Sequence, residues 1–431
     1  MRILIVNPPS PKNDLIIGRK RQPLCLAWIA SILKHNGHSV ELIDMNALDM
    51  ENLAINKNYD WAIITSAPID RWETPYLDYS EAIKIIKICK NKKIKTVLVG
   101  PHGTVTPELI LRQVLELDVV VRGEPERTVE ELIAKTSLAD IKGISYITNN
   151  QFVHNPDREL FDLNTLPLPA YELLPMEKYY YNVKDFPKPF TIMETSRGCP
   201  HQCIFCFKAM HGNIYRTRTP ENVIEELKYL VNNFGVKSIY FQDLEFTLDR
   251  ERVIKICQLI RKNKLEIQWA CASRVQDADE ELLKIMKDAG CKSISFGVES
   301  LSPTILKNIK KGITIEKIAW AHHNCKKVGI NFNSFFTEGH LGETNLTIEE
   351  SFKNALKYKI DHPSKRGVVI PYPGTQLFRI AEQEGMIKGN DWWQEAKRLQ
   401  GKVHAGNFKR KTIKIWLCLI LIKLYFKIFK K

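Results

Sequence analysis

The chain of 431 residues has no apolar run long enough to cross a bilayer. The longest, Ile415–Ile422, is eight residues, against the roughly 20 that a spanning helix needs. Nothing reads as a secretory leader, because Met1-Arg-Ile-Leu-Ile-Val6 leads at once into the turn Asn7-Pro8-Pro9. A disulfide framework is lacking too. Of ten cysteines, three are clustered and seven stand singly in apolar runs: Cys25, Cys89, Cys257, Cys271, Cys291, Cys325 and Cys418. That usage implies buried thiols in a reducing cytoplasm. No basic stripe interleaved with aromatics lies near the clustered cysteines, so no nucleic-acid partner is expected. Acidic residues are missing from one segment: residues 409–431 carry eight Lys and Arg and no acid, more than half of the formal net charge of +14.

What is present is organised around Thr195-Ser-Arg-Gly-Cys199-Pro-His-Gln-Cys203-Ile-Phe-Cys206. Three cysteines spaced C-x3-C-x2-C converge on one point only if the backbone loops tightly, and Gly198 and Pro200 equip the segment for that. Soft thiolates at this density select zinc or an iron–sulfur cluster. His201 and His211 stand where a fourth zinc ligand could come from, so both metals remain open at this point. Three ligands on a four-iron cluster leave one iron free to take a small molecule.

The order of elements predicts two α/β units. Strands at Arg2–Val6, Ser39–Ile43, Trp61–Thr65, Thr96–Val99 and Val119–Val121 alternate with helices at Leu24–His35, Tyr79–Cys89 and Thr106–Leu115, which implies a doubly wound parallel sheet with its ligand crevice beyond the carboxyl ends of the strands. A hairpin follows, Gly143–Ile147 and Phe152–His154 around Asn149-Asn150. The proline-spaced stretch 166–175 then reads as an extended, semi-rigid connector. From Phe190 onward six strand–helix units predict a partial (β/α)6 barrel, with the cysteines at the carboxyl end of its first strand. The expected division is 1–140, 141–188, 189–390 and 391–431.

C-x3-C-x-Phe205-C resembles the signature of radical S-adenosylmethionine (SAM) enzymes, and "PLCLAWIASILKHNGHSVELID", "VGPHGT" and "VRGEPERTVEEL" resemble the cobalamin-binding domain fused to many of them. The resemblance implies that Cys199, Cys203 and Cys206 hold a 4Fe-4S cluster whose fourth iron chelates SAM, which is cleaved to a 5′-deoxyadenosyl radical. It implies SAM contacts at the other barrel strand ends: Asp243 or Glu245 for the ammonium, Ser273 for the ribose, Arg274 for the carboxylate, Glu299, and Gly339 beside the adenine. In the first unit it places Gly100, His102, Gly103, Gly123 and Glu124 at the cobalamin. The D-x-H-x-x-G motif that supplies a cobalt ligand elsewhere is absent, so no axial ligand is identified. Trp72 is a candidate cover for the lower corrin face, or a core residue.

The resemblance further implies a small-molecule or lipid-like substrate and an electron donor such as flavodoxin or ferredoxin. The leading expectation is a methyltransferase acting on an unactivated carbon. An oxidative cyclase or ring-contracting enzyme with the same cofactors is the alternative, and a non-catalytic zinc-stabilised binding protein is the alternative from another class. Tyr179-Tyr-Tyr181 and Trp392-Trp393 are expected to pack or to meet substrate. The basic tail is expected either to lie on an anionic inner-membrane surface or to dock on the barrel.

Overall fold

The computed structural model describes residues 1–11, 19–181, 186–360 and 367–402. The first unit is a seven-stranded sheet made of β1 (Arg2–Asn7), β2 (Ser39–Asp44), β3 (Trp61–Thr65), β4 (Lys95–Val99), β5 (Val119–Val121), β6 (Ile144–Thr148) and β7 (Gln151–His154). Its order is β2-β1-β3-β4-β5-β6-β7. The first five strands run parallel, and the last two form an antiparallel hairpin on the edge. Positive φ at both Asn149 (49°) and Asn150 (60°) builds its two-residue turn, the geometry that matches strand twist. The chain passes from β1 outward to β2 and then returns to β3. That reversal opens a crevice beyond the ends of β1 and β3.

The second unit is a six-stranded, all-parallel sheet: β8 (Phe190–Met193), β9 (Ser238–Phe241), β10 (Gln268–Ser273), β11 (Cys291–Glu299), β12 (Asn331–Glu338) and β13 (Gly367–Val368), in sequential order. Helices separate successive strands, each amphipathic with its apolar face on the sheet; Pro220–Phe234, for instance, starts on a Thr219 side-chain cap and ends at Gly235 in the left-handed conformation. This is the expected partial barrel.

The connector is not an extended spacer. Short 3-10 turns at Leu163–Thr165, Tyr171–Leu173 and Met176–Lys178 bury Leu163, Tyr171, Leu174, Met176 and Tyr179. Pro167, Pro169 and Pro175 stand between the turns without straightening the chain, because the apolar residues around them find a core to enter. Tyr171 bonds Glu226 at 2.5 Å on the barrel side, and Tyr179 bonds Asp44 at 2.8 Å on the other. One cluster of buried apolar side chains therefore runs from Ile3 and Trp28 through Tyr171 to Trp269 and Trp393. The helix Leu24–His35 is buried over ten consecutive residues, Leu24 to Leu33, because it has protein on both sides.

The barrel's first strand is capped by a side chain of the other unit. Gln22 accepts from Ile192 N–H at 3.0 Å and donates to the Phe190 carbonyl at 3.2 Å. No helix of the described residues is long and apolar enough to cross a membrane. The tail, residues 403–431, lies outside the described residues, as does the choice between membrane and barrel for it.

Candidate active site

β8 delivers the cysteine loop. After Glu194 the chain forms a short ribbon, Ser196–Arg197 against Arg216–Thr217, and turns at Gly198, whose φ is +82°. A Cβ there would stand 2.0 Å from the Ile214 carbonyl oxygen, so only glycine admits the turn. The loop is pinned by Cys199 N–H to Gly212, Ile204 N–H to Ile309 and Leu377 N–H to the Ile204 carbonyl. Cys199, Cys203 and Cys206 are half-buried, whereas the other six described cysteines are buried. The trio is thus presented to a ligand and not packed away.

Several residues expected at the strand ends converge on this loop. One ligand atom each of Cys199, His201 and Glu245 lies within 4.8 Å of the others. Arg274 Nη1 is 4.0 Å from Cys203 Sγ. Glu245 accepts from Arg274 N–H at 2.6 Å and from Ser273 Oγ at 3.3 Å, and burial, reinforced by the Asp277 charge, pushes its carboxyl up to about 7. Glu299, at the end of β11 with φ +64°, accepts from Lys311 Nζ at 3.2 Å and from Thr337 Oγ1 at 2.8 Å. Thr337 also meets His340 Nε2 at 2.6 Å. His201 Nε2 and His340 Nδ1 are buried polar atoms with no hydrogen-bond partner in the protein, the state expected of groups that await a ligand.

Asp243 is placed differently. Its carboxylate accepts from Thr195 N–H (2.7 Å), Thr195 Oγ1 (2.5 Å) and Ser196 Oγ (2.6 Å), so it braces the backbone that leads into the cysteines. Gly339 is pressed against the chain, since a Cβ there would meet Gly401 Cα at 2.4 Å. Sequence reasoning missed Lys311, which lies one helix beyond β11 and has no motif signal of its own; its ammonium nevertheless reaches within 5.9 Å of the Phe205 ring centre.

In the first unit Gly100 and Gly103 are closely approached, whereas a Cβ on Gly123 would meet nothing within 4 Å. A Cβ on Gly100 would be 2.8 Å from Ser66 Oγ, and one on Gly103 would be 2.6 Å from Val120 Cγ1. His102 is fully buried, bonded to the Tyr76 carbonyl at 2.8 Å and flanked by Tyr79 and Trp393; burial pushes its pKa down to about 3. Gly123 N–H donates to Thr104 Oγ1, and Thr104 Oγ1 in turn donates to Met210 Sδ at 3.2 Å, a bond to the cysteine-bearing unit. Glu124 is engaged by Arg197 and Arg216. Trp72 is buried with its indole N–H on the Ala67 carbonyl and packs on His211. His211 itself lies between Glu73 (3.5 Å) and Glu194 (3.8 Å). The tyrosine and tryptophan clusters pack: Tyr179 and Trp393 are buried.

A shallow cleft at the chain reversal is lined by Asn7, Pro8, Thr65, Ser66, Tyr76 and Asp78 among others. Asn7 Oδ1 and Ser66 Oγ there are buried without a partner. Gly100, expected at the cobalamin, adjoins this cleft, since a Cβ there would stand 2.8 Å from Ser66 Oγ.

Comparison with known proteins follows the same division. Residues 17–133 match the B12 binding domain model and residues 193–355 the Radical SAM superfamily model. The chain is 37% identical over 409 residues to an uncharacterized methyltransferase of Pyrococcus horikoshii, covering 91% of this chain and 85% of that one. The chain belongs to the cobalamin-binding radical SAM family. It is also 29% identical to the anaerobic magnesium-protoporphyrin IX monomethyl ester cyclase of Rubrivivax gelatinosus, over 88% of this chain and 70% of the relative. Among solved structures it resembles the radical SAM methyltransferase TsrM of Kitasatospora setae with cobalamin and a [4Fe-4S] cluster bound, at TM-score 0.71 and 18% identity, over 90% of this chain and 79% of that one; that likeness speaks to the fold.

As a radical SAM enzyme with a cobalamin domain, the protein uses a 4Fe-4S cluster, SAM and cobalamin, and the zinc-stabilised, non-catalytic reading falls away. The residues fit these groups. Burial pushes the Cys206 thiol up to about 12 and raises Cys199 as well, with Lys208 opposing both shifts and Lys311 that of Cys206; Arg274 stands beside Cys203, so an anionic cluster bound here would meet these cations. His201 lies beside Cys199 and Glu245, and His340 lies 5.5 Å from the Phe205 ring, each with a ring nitrogen that has no hydrogen-bond partner; Asn7 and Ser66 line the cleft of the first unit.

Proposed function

We propose that the protein is a methyltransferase that transfers a methyl group to an unactivated carbon of a small molecule, with the domain division 1–140, 141–188, 189–390 and 391–431. The observation that carries this reading is the juxtaposition of a cysteine loop, ringed by strand-end polar groups, with a corrin-type sheet that shares its core. When bound, the cluster and SAM supply a radical that removes a substrate hydrogen, and cobalamin supplies the methyl group.

Cys199, Cys203 and Cys206 hold the cluster. Ser273, Arg274, Glu245 and Glu299 take the polar groups of SAM, with Lys311 adding a cation suited to its carboxylate. Asp243 positions the loop through Thr195 and Ser196. Asn7 and Ser66 offer hydrogen bonds to polar groups of cobalamin in the crevice. The continuous core between the units excludes water from the space where reactive species meet. A small acidic redox protein of flavodoxin or ferredoxin type is the natural reductant for the half-buried cysteine loop. The basic, apolar tail fits peripheral contact with an anionic membrane surface, which co-sedimentation with anionic against neutral vesicles tests.

The deciding experiment is anaerobic reconstitution with iron, sulfide and hydroxocobalamin, followed by incubation with methyl-labelled SAM and candidate extracts. Label carried into a product supports methyl transfer. Deoxyadenosine without labelled product favours the cyclase-type reaction, which the similarity to the Rubrivivax gelatinosus relative keeps as the second reading. Iron without cobalt overturns both.

A further inference from the structure

Two motifs meet at one buried ion cluster between the units. Arg197, two residues ahead of Cys199, has a side chain with no exposed surface, and neither has that of Glu126. Arg197 Nη2 donates to Glu126 Oε1 at 2.6 Å, and Nε donates to Glu194 Oε2 at 2.6 Å. Its Nη1 lies 3.3 Å from Glu124 Oε2. The guanidinium also lies 5.1 Å from the Trp28 ring centre and 5.9 Å from that of Trp72. Glu124 and Glu126 flank Pro125 just past β5 of the corrin-type sheet, whereas Glu194 and Arg197 bracket the start of the cysteine loop. Arg122 of the same segment is tied to Ser145 Oγ at 2.6 Å and Asp157 at 2.8 Å, which anchors the backbone just ahead of Glu124.

Such a cluster is a poor device for mere adhesion. Burying charges carries a desolvation penalty that apolar side chains of similar volume avoid, so a buried ion pair is weak evidence for stability. What a planar guanidinium among three carboxylates supplies is orientation, because its donors point in fixed directions. Gly198 transmits that orientation: its turn is locked against the Ile214 carbonyl, and Cys199 follows directly. The only covalent path from the fork to the first cluster ligand is therefore two residues of fixed backbone.

We infer that Arg197, gripped by Glu124 and Glu126, is a positioning residue that sets the separation and relative orientation of the cluster and the corrin. The inference rests on the cofactor reading above and deepens it. It assigns the R-G-E-P-E segment to holding the two units in register.

The test uses the full chain reconstituted with cluster and hydroxocobalamin, comparing the parent with Arg197→Lys and Glu126→Gln. Iron and cobalt content are measured first. Electron paramagnetic resonance of the one-electron-reduced cluster together with cob(II)alamin then reads their dipolar splitting, which depends steeply on separation. The expected result is full cofactor content in the variants with a shifted or lost splitting; an Arg250→Lys change on the exposed Asp279–Glu281 pair leaves the parent splitting intact. An unchanged splitting in both variants at full cofactor content overturns the inference and leaves the cofactor reading standing. Should Arg197→Lys fail to fold, the isosteric Glu126→Gln decides by the same criterion. A parent protein that takes up no cobalt overturns both.

Discussion

Gln22 stands in for a strand beside Ile192. Its amide accepts the Ile192 N–H at 3.0 Å and donates to the Phe190 carbonyl at 3.2 Å, which gives the buried outer edge of the barrel its missing partners. Edge strands otherwise leave such groups unpaired, and an unpaired buried group costs about 1–3 kcal/mol. Gln22→Leu should lower the unfolding free energy by roughly that amount per group, read as a lower denaturant midpoint. A midpoint equal to the parent's would mean that water replaces the amide.

Gly198 admits no side chain. Because an added Cβ would stand 2.0 Å from a backbone oxygen, Gly198→Ala should displace the loop and abolish iron binding while the far-ultraviolet circular dichroism of the chain stays near the parent's. Cys199→Ala should give the same loss with a smaller effect on stability, since that thiol is only half-buried. Retained iron–sulfur absorbance in either variant would refute the assignment of the loop.

The crevice makes a separate prediction. Ser66 Oγ is buried there without a partner, so Ser66→Ala should weaken hydroxocobalamin binding by about tenfold or less, the worth of one hydrogen bond. Ser66→Phe should block it. Spectrophotometric titration checks both, and equal affinity in all three proteins would place the ligand elsewhere.

Stability should fall as the pH rises from about 5 to 8. Burial pushes the Glu194 carboxyl up to about 7 from its ordinary 4.5, against the pull of Arg197 and His211 and with Asp243 reinforcing it. An acid whose folded pKa is raised contributes stability that is fully present below 4.5 and lost as the pH passes 7. His211 adds in the same direction: burial alone would lower its pKa, but the Glu73 bond and the Glu194 charge outweigh it and raise it above 6.5. Glu124, held below its ordinary range because Arg197 and Arg216 outweigh its burial, stays ionised throughout this window. Glu194→Gln should remove up to about 3 kcal/mol of this pH dependence. An unaltered slope in denaturation curves would show that another group titrates.

The sequence by itself determined the elements and the chemistry. Alternation of apolar strands with helical spacing gave the helix Leu24–His35 at its observed bounds, because burial of one face is a local, periodic signal. C-x3-C-x2-C gave the metal centre, because ligand spacing within one loop is likewise local. Only the tertiary structure decided which strand ends face each other. Strand order puts the crevice at Asn7 and Ser66 and turns Gly103 and His102 inward. It brings Lys311 to the cysteine loop and gives Asp243 to Thr195 and Ser196. Above all it joins Arg197 to Glu126 across 71 positions, a pairing that two separate motifs cannot announce, because the energy of a buried charge depends on what the fold places beside it.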